Sequence, residues 1–198
     1  MKSLSKGTIG LIVVVAIIAM WAIGGYNGMV QEQEKATTAF ANVQSAYQRR
    51  ADLIPNLVEV VKGYAKHEEE TFKGVVEARA KATQVTIDPS NVTPEQLKEF
   101  QAAQGELSQA LGRLLAVQEN YPELKANENF KDLQVQLEGT ENRITTERAK
   151  FNDAVAEYNK SLRRFPNNIV AGISGFQKKG YFTAPEGSDE PVKVEFDF

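Results

Sequence analysis

The chain has 198 residues, of which 42% are hydrophobic, so it is long enough to form one domain with a substantial core. Its formal net charge is -3, and it has no basic stripe of the kind that neutralises phosphates, so we expect no nucleic-acid partner. The chain has no cysteine, which excludes disulfides, thiolate metal sites, a cysteine nucleophile and an acylated lipoprotein cysteine.

The first predicted element is a membrane-spanning helix. Residues 9–23 (IGLIVVVAIIAMWAI) are almost wholly apolar. Because a bilayer requires roughly 20 such residues, the stretch 7–26 is long enough to cross one. Trp21 and Tyr26 lie where interfacial aromatic residues are expected.

A cleaved signal peptide is the alternative, since Lys2 and Lys6 form a short basic region and small residues follow the apolar run. The same two lysines precede the span, and only Lys35 follows within about 18 residues, so the positive-inside rule predicts a cytoplasmic N-terminus and an extracytoplasmic body. Gly24 and Gly28 are spaced for close helix packing at the membrane exit, or are simply tolerated there.

Beyond the span, apolar residues recur about every seven residues from Val30 to Lys81, which predicts one helix continuous with the span and a rod of about 75 residues. The two apolar rows are Phe40, Tyr47, Ile54 and Val61, and Val43, Leu57 and Tyr64. Pro55 lies inside this helix. Because proline lacks a donor, the carbonyl of Ala51 is left free, and we expect a bend near residues 52–54.

Two further helices are predicted. Thr93, Pro94 and Gln96 form a helix-start signature with a capping box. The second helix then carries a coiled-coil-like seam at Leu97, Phe100, Gln104, Leu107, Leu111, Leu114, Gln118 and Tyr121. The third carries Phe130, Leu137, Ile144, Phe151, Tyr158 and Phe165 at intervals of seven, and we expect it to stop at Phe165-Pro166.

These patterns predict an all-α fold with an N-terminal transmembrane helix, an antiparallel bundle of long helices and a short C-terminal extended segment. We divide it into a transmembrane anchor (1–27), a long-helix bundle (28–165) and a short helix with an extended tail (166–198). The last residues, VKVEFDF, alternate apolar and polar side chains as a strand does. They form either a disordered tail or a segment that pairs with another chain, and the apolar positions are Val192, Val194, Phe196 and Phe198.

Polar residues recur beside the apolar rows and must be paired if the bundle buries them. They are Arg49, Arg50, Asp52 and Asn56 on the first helix, and Thr140, Glu141, Asn142, Arg143, Arg148, Asn152 and Asn159 on the third. We expect Arg49 or Arg50 to meet Glu141 or Glu147 across the bundle and to fix the register of the helices. An exposed functional patch is the alternative.

The sequence contains no motif that indicates an enzyme. The single histidine, His67, lacks the second histidine that HExxH requires, because position 71 is Thr71. No phosphate-binding or nucleophile-elbow motif is present. We therefore expect no cofactor, no metal and no catalytic residue.

The segments RRADLIPNLVEVVKGYAKHE, YPELKANENF, EGTENRI, FNDAVAEYN and FPNNIVAGISGF follow one another in the order and spacing of the LemA family of bacterial membrane-anchored proteins. The resemblance extends from about Tyr26 to Phe182. The chain departs from the family at Phe151, where tyrosine is more usual, and at Glu147, often alanine. The resemblance implies a long-helix bundle behind one transmembrane helix.

These observations together predict a non-enzymatic scaffold in the bacterial inner membrane, with the bilayer, other copies of itself and other envelope proteins as its partners. The alternative is an adaptor or regulator that binds a membrane protease, phosphatase or signalling kinase. An enzyme is a third possibility, and it would need titratable side chains that converge in a pocket.

Overall fold

The computed structural model describes residues 6–183, and within them it contains helices and turns but no strand. The helices are α1 (Lys6–Tyr64), α2 (Glu69–Gln84), α3 (Pro94–Ala116), α4 (Pro122–Ala126), α5 (Glu128–Arg163) and α6 (Asn167–Ser174). Two 3₁₀ turns, Pro89–Asn91 and Val117–Asn120, lie on either side of α3. The predicted all-α class is confirmed.

Helix α1 joins the apolar span to the helical body without interruption over 59 residues. It is the one helix among residues 6–183 that is long and apolar enough to cross a membrane. Beyond the span the helix buries one face, which includes Phe40, Val43 and Ile54, and it packs mainly against α5. The same helix therefore contains both the apolar span and a central element of the bundle.

The first amphipathic segment was predicted to run to Lys81 as one helix, and this prediction was wrong. Helix α1 ends at Tyr64, and after a turn α2 runs back along it. Two contacts show the reversal: Lys62 Nζ lies 5.7 Å from the centroid of the Phe72 ring, and Arg79 contacts Ala51. The apolar repeat continues through the reversal because both helices bury a face, so periodicity alone does not reveal the turn.

Pro55 is exposed, and α1 continues through it. Proline removes the donor that the carbonyl of Ala51 would otherwise accept. Arg79 of α2 supplies a replacement, since its Nε donates to Ala51 O at 2.8 Å. A side chain of the neighbouring helix thus satisfies the carbonyl that the proline leaves free.

The remaining boundaries follow local sequence signals. The Thr93 hydroxyl accepts from Gln96 N at 3.2 Å and Gln96 Oε1 accepts from Thr93 N at 3.1 Å, so the predicted capping box is confirmed. Asn127 caps α5 by accepting from Phe130 N. The buried row predicted on α5 is confirmed up to Tyr158, but Phe165 is 77% exposed because the helix has already ended at Arg163.

The buried side chains form three clusters along the bundle axis. The membrane-proximal cluster consists of Met29, Tyr158, Leu162 and Ala171. The central cluster includes Ala36, Phe40, Val43, Tyr47, Phe100, Ile144, Phe151 and Phe182. The distal cluster includes Leu53, Ile54, Leu57, Val61, Phe72, Leu107, Leu114, Phe130 and Leu137. The body is therefore a helical bundle that extends away from the end of the apolar span.

Candidate functional site

A buried polar layer separates the central cluster from the distal cluster. Its centre is Arg50, which is 1% exposed although it carries a permanent charge. Along α1, Arg50 lies between Tyr47, which belongs to the central cluster, and Leu53, which belongs to the distal cluster. A charged group this deep is tolerated only where it is paired and hydrogen-bonded.

The guanidinium of Arg50 connects three helices. Nη1 donates to Glu141 Oε1 on α5 at 2.7 Å and to Ser108 Oγ on α3 at 2.8 Å. Nη2 donates to the side-chain oxygen of Gln104 at 2.7 Å and to its backbone carbonyl at 3.2 Å. The guanidinium carbon also lies 5.1 Å from the centroid of the Tyr47 ring, within the range of a cation–π contact.

The expected ion pair between the first and third predicted helices is thus confirmed for Arg50 and Glu141. Gln104 continues the layer, since its Nε2 donates to Ala82 O at the end of α2. The layer therefore contacts all four long helices of the bundle. Because a shift of one helix by a turn would leave a charge unpaired, it suits a role in fixing helix register.

The other polar and charged residues predicted on the first helix, and Arg143 on the third, lie outside the layer. Arg49 and Asn56 are exposed, and Asp52 is exposed and accepts from Gln48 Nε2 at 2.7 Å. Arg143 Nε pairs with Glu147 Oε1 at 2.8 Å within α5. These side chains therefore do not join the helices to one another.

Glu147 is a second buried charge, 1% exposed, but its partners lie on its own helix. Besides Arg143, Lys150 Nζ approaches its Oε1 at 3.1 Å, and both cations are mostly exposed. Its other oxygen, Oε2, has no hydrogen-bond partner within residues 6–183. Glu147 was one of the two expected partners of the first-helix arginines, and the structure assigns that role to Glu141 instead.

The glycines predicted to pack at the membrane exit have open surroundings. Apart from its chain neighbours and the adjacent backbone of α1, a Cβ built on Gly24 or on Gly28 would meet no heavy atom of the described residues within 4 Å. The close approach occurs at Gly25, where a Cβ would lie 2.8 Å from Asn167 Oδ1 at the start of α6. Within one chain, α1 therefore meets α6 at Gly25, one residue away from the predicted position.

A second polar arrangement holds the end of the described chain, residues 176–183, which we call the C-terminal strap. Asn159 of α5 donates to Lys179 O at 2.9 Å and accepts from Lys179 N at 3.0 Å. Seven residues earlier, Asn152 makes the same pair of bonds with Phe182, at 2.9 and 2.8 Å. Two turns of helix rise by about 10 Å, and three extended residues span about 10 Å, so the two pairs match in spacing.

The strap is also held by packing. Phe182 enters the central cluster, where its ring centroid lies 5.4 Å from that of Phe151. At Gly180 a Cβ would come within 2.9 Å of Pro94 Cα, so a larger residue does not fit between the strap and the start of α3. The carbonyl of Thr183 accepts from Arg148 on α5 and from Gln101 on α3. The position at which the tail leaves the body is therefore fixed on two helices.

Burial changes the acid–base behaviour of two groups at the strap. Burial raises the pKa of the Tyr158 phenol above its ordinary value, and the hydroxyl donates to Gln177 O at 2.9 Å. Burial lowers the pKa of the Lys179 ammonium, while the Asp88 carboxylate partly opposes the shift. Lys179 Nζ donates to Ser90 O at 2.7 Å, so both groups serve to hold the strap.

The residues that sequence reasoning assigned to the tail, Val192, Val194, Phe196 and Phe198, lie outside the described residues. His67 is exposed in the turn between α1 and α2. Within residues 6–183 there is no group of three or more histidine, aspartate or glutamate side chains arranged to hold a metal ion.

A family model matches most of the chain: the model of the LemA family aligns with residues 39–196. The chain belongs to the LemA family. The matched region contains the polar layer and the strap, and it begins after the apolar span. The expectation drawn from the five sequence segments is thereby confirmed.

This LemA-family chain is also similar to individual proteins over most of its length. It is 26% identical over 213 residues to Magnetosome protein MamQ of Magnetospirillum gryphiswaldense, an alignment that covers 96% of this chain and 78% of MamQ. It is 27% identical to Magnetosome protein MamQ 2 of Paramagnetospirillum magneticum, with the same coverage. It is 23% identical over 175 residues to Protein LemA of Metamycoplasma hominis, covering 88% of this chain and 76% of that protein. The family membership and the apolar helix indicate a membrane-associated protein.

In this LemA-family chain, several residues that organise the polar layer, the strap and the contact between α1 and α2 were not predicted to do so. Asn152 and Asn159 were recognised only as polar residues beside an apolar row, although their spacing of seven places both on one helix face. Gln104 was assigned to the seam, where a polar residue among apolar ones is a signal for a buried hydrogen bond. Arg79 gave no signal, since its partner is a backbone carbonyl on another helix.

Proposed function

We propose that this protein is a non-enzymatic scaffold anchored in the bacterial inner membrane, which self-associates, organises other envelope proteins, or both. In this proposal the N-terminus is cytoplasmic and the body extracytoplasmic, as the positions of the lysines around the span suggest. The relatives named as magnetosome proteins and as LemA support a structural role at a membrane. None of their names refers to a reaction.

The observation that carries this proposal is the continuity of α1. A single helix runs from the apolar span to Tyr64, so the anchor and the body are joined without a flexible linker. From Tyr26 to Tyr64 the helix rises by about 57 Å. A body held in this way keeps any partner bound to it at a set distance from the bilayer, as a scaffold requires.

The polar layer and the strap support the same proposal. The layer around Arg50 contacts four helices, which favours one register and therefore a body of defined shape. The strap fixes the start of the C-terminal tail at Thr183. The alternating pattern of residues 192–198 suits pairing with the same segment of a neighbouring copy, because an unpaired strand offers its backbone groups to a second strand.

Crosslinking in native membranes tests the scaffold proposal. Because the natural chain has no cysteine, a single cysteine in the tail, Lys193→Cys, provides a unique crosslinking position. One dominant crosslink between identical chains supports the scaffold. One dominant crosslink to a different protein supports the adaptor alternative instead, and no crosslinked product at all would contradict both.

A truncation isolates the contribution of the tail. Deleting residues 192–198 should reduce the size of the assembly, because each copy loses the segment that pairs with a neighbour. The matched control replaces only the polar side of the same segment, Lys193→Ser with Glu195→Ser, and should leave the size unchanged. An assembly of unaltered size after the deletion would exclude the tail from self-association.

A further inference from the structure

Two exposed isoleucines distinguish α6 from the rest of the body. Ile173 is 83% exposed and Ile169 is 52% exposed, and they are four residues apart, so they share one face of the helix. Phe165, immediately before the helix, is 77% exposed. Ile173 and Phe165 are the two most exposed large apolar side chains in residues 6–183. An apolar face of this kind normally marks a contact with another surface.

The opposite face of α6 fixes the helix to the body. Ala171 is 5% exposed and belongs to the membrane-proximal cluster, with Val170 packed against it. The helix ends at Ser174 and is capped by Gly175, whose φ of 74° lies in the left-handed region that glycine adopts readily. The chain then turns back, so the Phe176 ring returns to α1, where it meets Tyr26. The exposed isoleucines are therefore held outward by a packed helix.

The location of α6 indicates which surface covers its exposed face. Its first residue, Asn167, lies against Gly25 of α1, and just beyond its end the Phe176 ring lies 5.5 Å from the Tyr26 ring. Gly25 and Tyr26 are adjacent residues at the end of the apolar span. Helix α6 thus meets α1 at the level where the chain leaves the bilayer.

Basic residues flank the exposed face. Arg163 and Arg164 precede α6, Lys178 follows it, and all three are exposed. A short helix with an apolar face and basic flanks is the pattern of a segment that lies in the interface between lipid headgroups and acyl chains. The basic side chains would then meet the phosphates of anionic lipids.

We propose that α6 is an interfacial helix that forms a second, peripheral membrane contact specific for anionic lipid. Ile169, Ile173 and Phe165 enter the boundary between headgroups and acyl chains, and the flanking arginines and lysine bind lipid phosphates. This inference rests on the assignment of the apolar part of α1 as a membrane span. It adds a contact that holds the body in one orientation relative to the bilayer.

The test uses the full chain with a single introduced cysteine that carries an environment-sensitive fluorophore. The chain is reconstituted in vesicles that contain brominated lipids, which quench a fluorophore only where it contacts acyl chains. Ile173→Cys reports on α6, and Ile17→Cys in the span is the positive control. Val135→Cys is the matched negative control, since Val135 is 67% exposed and lies on α5 near the distal cluster.

The proposal predicts that the fluorophore at Ile173→Cys is quenched in vesicles of phosphatidylcholine with phosphatidylglycerol, less strongly than at Ile17→Cys. The fluorophore at Val135→Cys should not be quenched. Replacing Arg163, Arg164 and Lys178 with glutamine should lower the ratio of bound to unbound α6 by about fivefold for each basic residue removed. In phosphatidylcholine alone, the same replacements should have no effect.

Each other outcome overturns a stated part of the proposal. Quenching at Ile17→Cys but none at Ile173→Cys leaves the membrane span intact and excludes the interfacial helix. A blue-shifted emission at Ile173→Cys without quenching would show that protein, and not lipid, covers the face. Equal quenching in both lipid compositions would exclude specificity for anionic lipid.

Discussion

Replacing Arg50 with methionine tests the buried polar layer. The substitution keeps an unbranched side chain and removes the guanidinium. Gln104 Oε1 then loses its donor, and a buried acceptor left without one costs about 1–3 kcal/mol. The backbone carbonyl of Gln104 still accepts from Ser108 Oγ, so the loss of its bond to Arg50 adds little to the destabilisation. Methionine carries no charge, so the unfavourable desolvation of the buried guanidinium is removed, and this offsets part of the loss. We expect the free energy of unfolding to fall by about 1–3 kcal/mol.

The ion pair with Glu141 supplies the second arm of a double-mutant cycle. Two charges about 4 Å apart interact by about 1 kcal/mol in water and about 4 kcal/mol at a protein surface. Because the Glu141 side chain is 48% exposed, the lower part of this range applies. We expect Glu141→Gln to cost about 1–2 kcal/mol with Arg50 present and almost nothing in the Arg50→Met background.

The assay is denaturant unfolding of the full chain in detergent micelles, followed by far-UV circular dichroism. Arg49→Met is the control, since Arg49 is the exposed neighbour of Arg50 and its loss should leave the unfolding midpoint unchanged. Additive effects of Arg50→Met and Glu141→Gln, within about 0.5 kcal/mol, would refute the reasoning, because independent sites add and coupled sites do not.

Three further predictions concern other contacts. Arg79→Met should cost about 1 kcal/mol with Pro55 in place, and less after Pro55→Ala, because that substitution restores a backbone donor for Ala51 O. Asn159→Ala should release the strap and accelerate tryptic cleavage within it by roughly 10-fold or more, since three hydrogen bonds to the strap are lost. Because burial raises the folded-state pKa of Tyr158, its contribution to stability is complete below the unfolded pKa of about 10 and is lost as the pH rises through the folded pKa. Tyr158→Phe should therefore make the stability less dependent on pH above about 10, as measured by unfolding at several pH values.

Each of these predictions has a control and a contrary result. If Arg79→Met lowers the free energy of unfolding equally with Pro55 and with Pro55→Ala, the arginine does not replace the missing donor. Asn142→Ala, at an exposed position of the same helix, should leave proteolysis unchanged, and an effect as large as that of Asn159→Ala would indicate general destabilisation. A Tyr158→Phe chain that loses stability above a pH of about 10 as steeply as the natural chain would assign that loss to other groups.

The helical fold was predictable because its signals are local. The span followed from an apolar run, the start of α3 from the capping box at Thr93, and the buried faces from the seven-residue repeat. The reversal after Tyr64 was not predictable in this way, because α1 and α2 are both amphipathic and the turn between them contains neither glycine nor proline. The exposure of Phe165 was missed because the apolar repeat continues past the end of α5.

The site was predictable in part. A paired charge between the first and third predicted helices followed from polar residues beside apolar rows, and the structure selects Arg50 over Arg49 because only position 50 faces the bundle. The strap depends on asparagines that bind backbone atoms of a segment further along the chain. Such a contact has no local sequence signal, since any backbone segment offers the same donor and acceptor.

As a membrane-anchored scaffold, the protein is proposed to associate with further copies of itself. The most direct measurement is the mass of the full chain extracted from native membranes in lipid nanodiscs, where one copy contributes 21.9 kDa. A self-associating scaffold predicts a protein mass that is a whole multiple of this value, larger than one copy, and a smaller multiple after residues 192–198 are deleted. A single copy per nanodisc, with and without the tail, would contradict the claim.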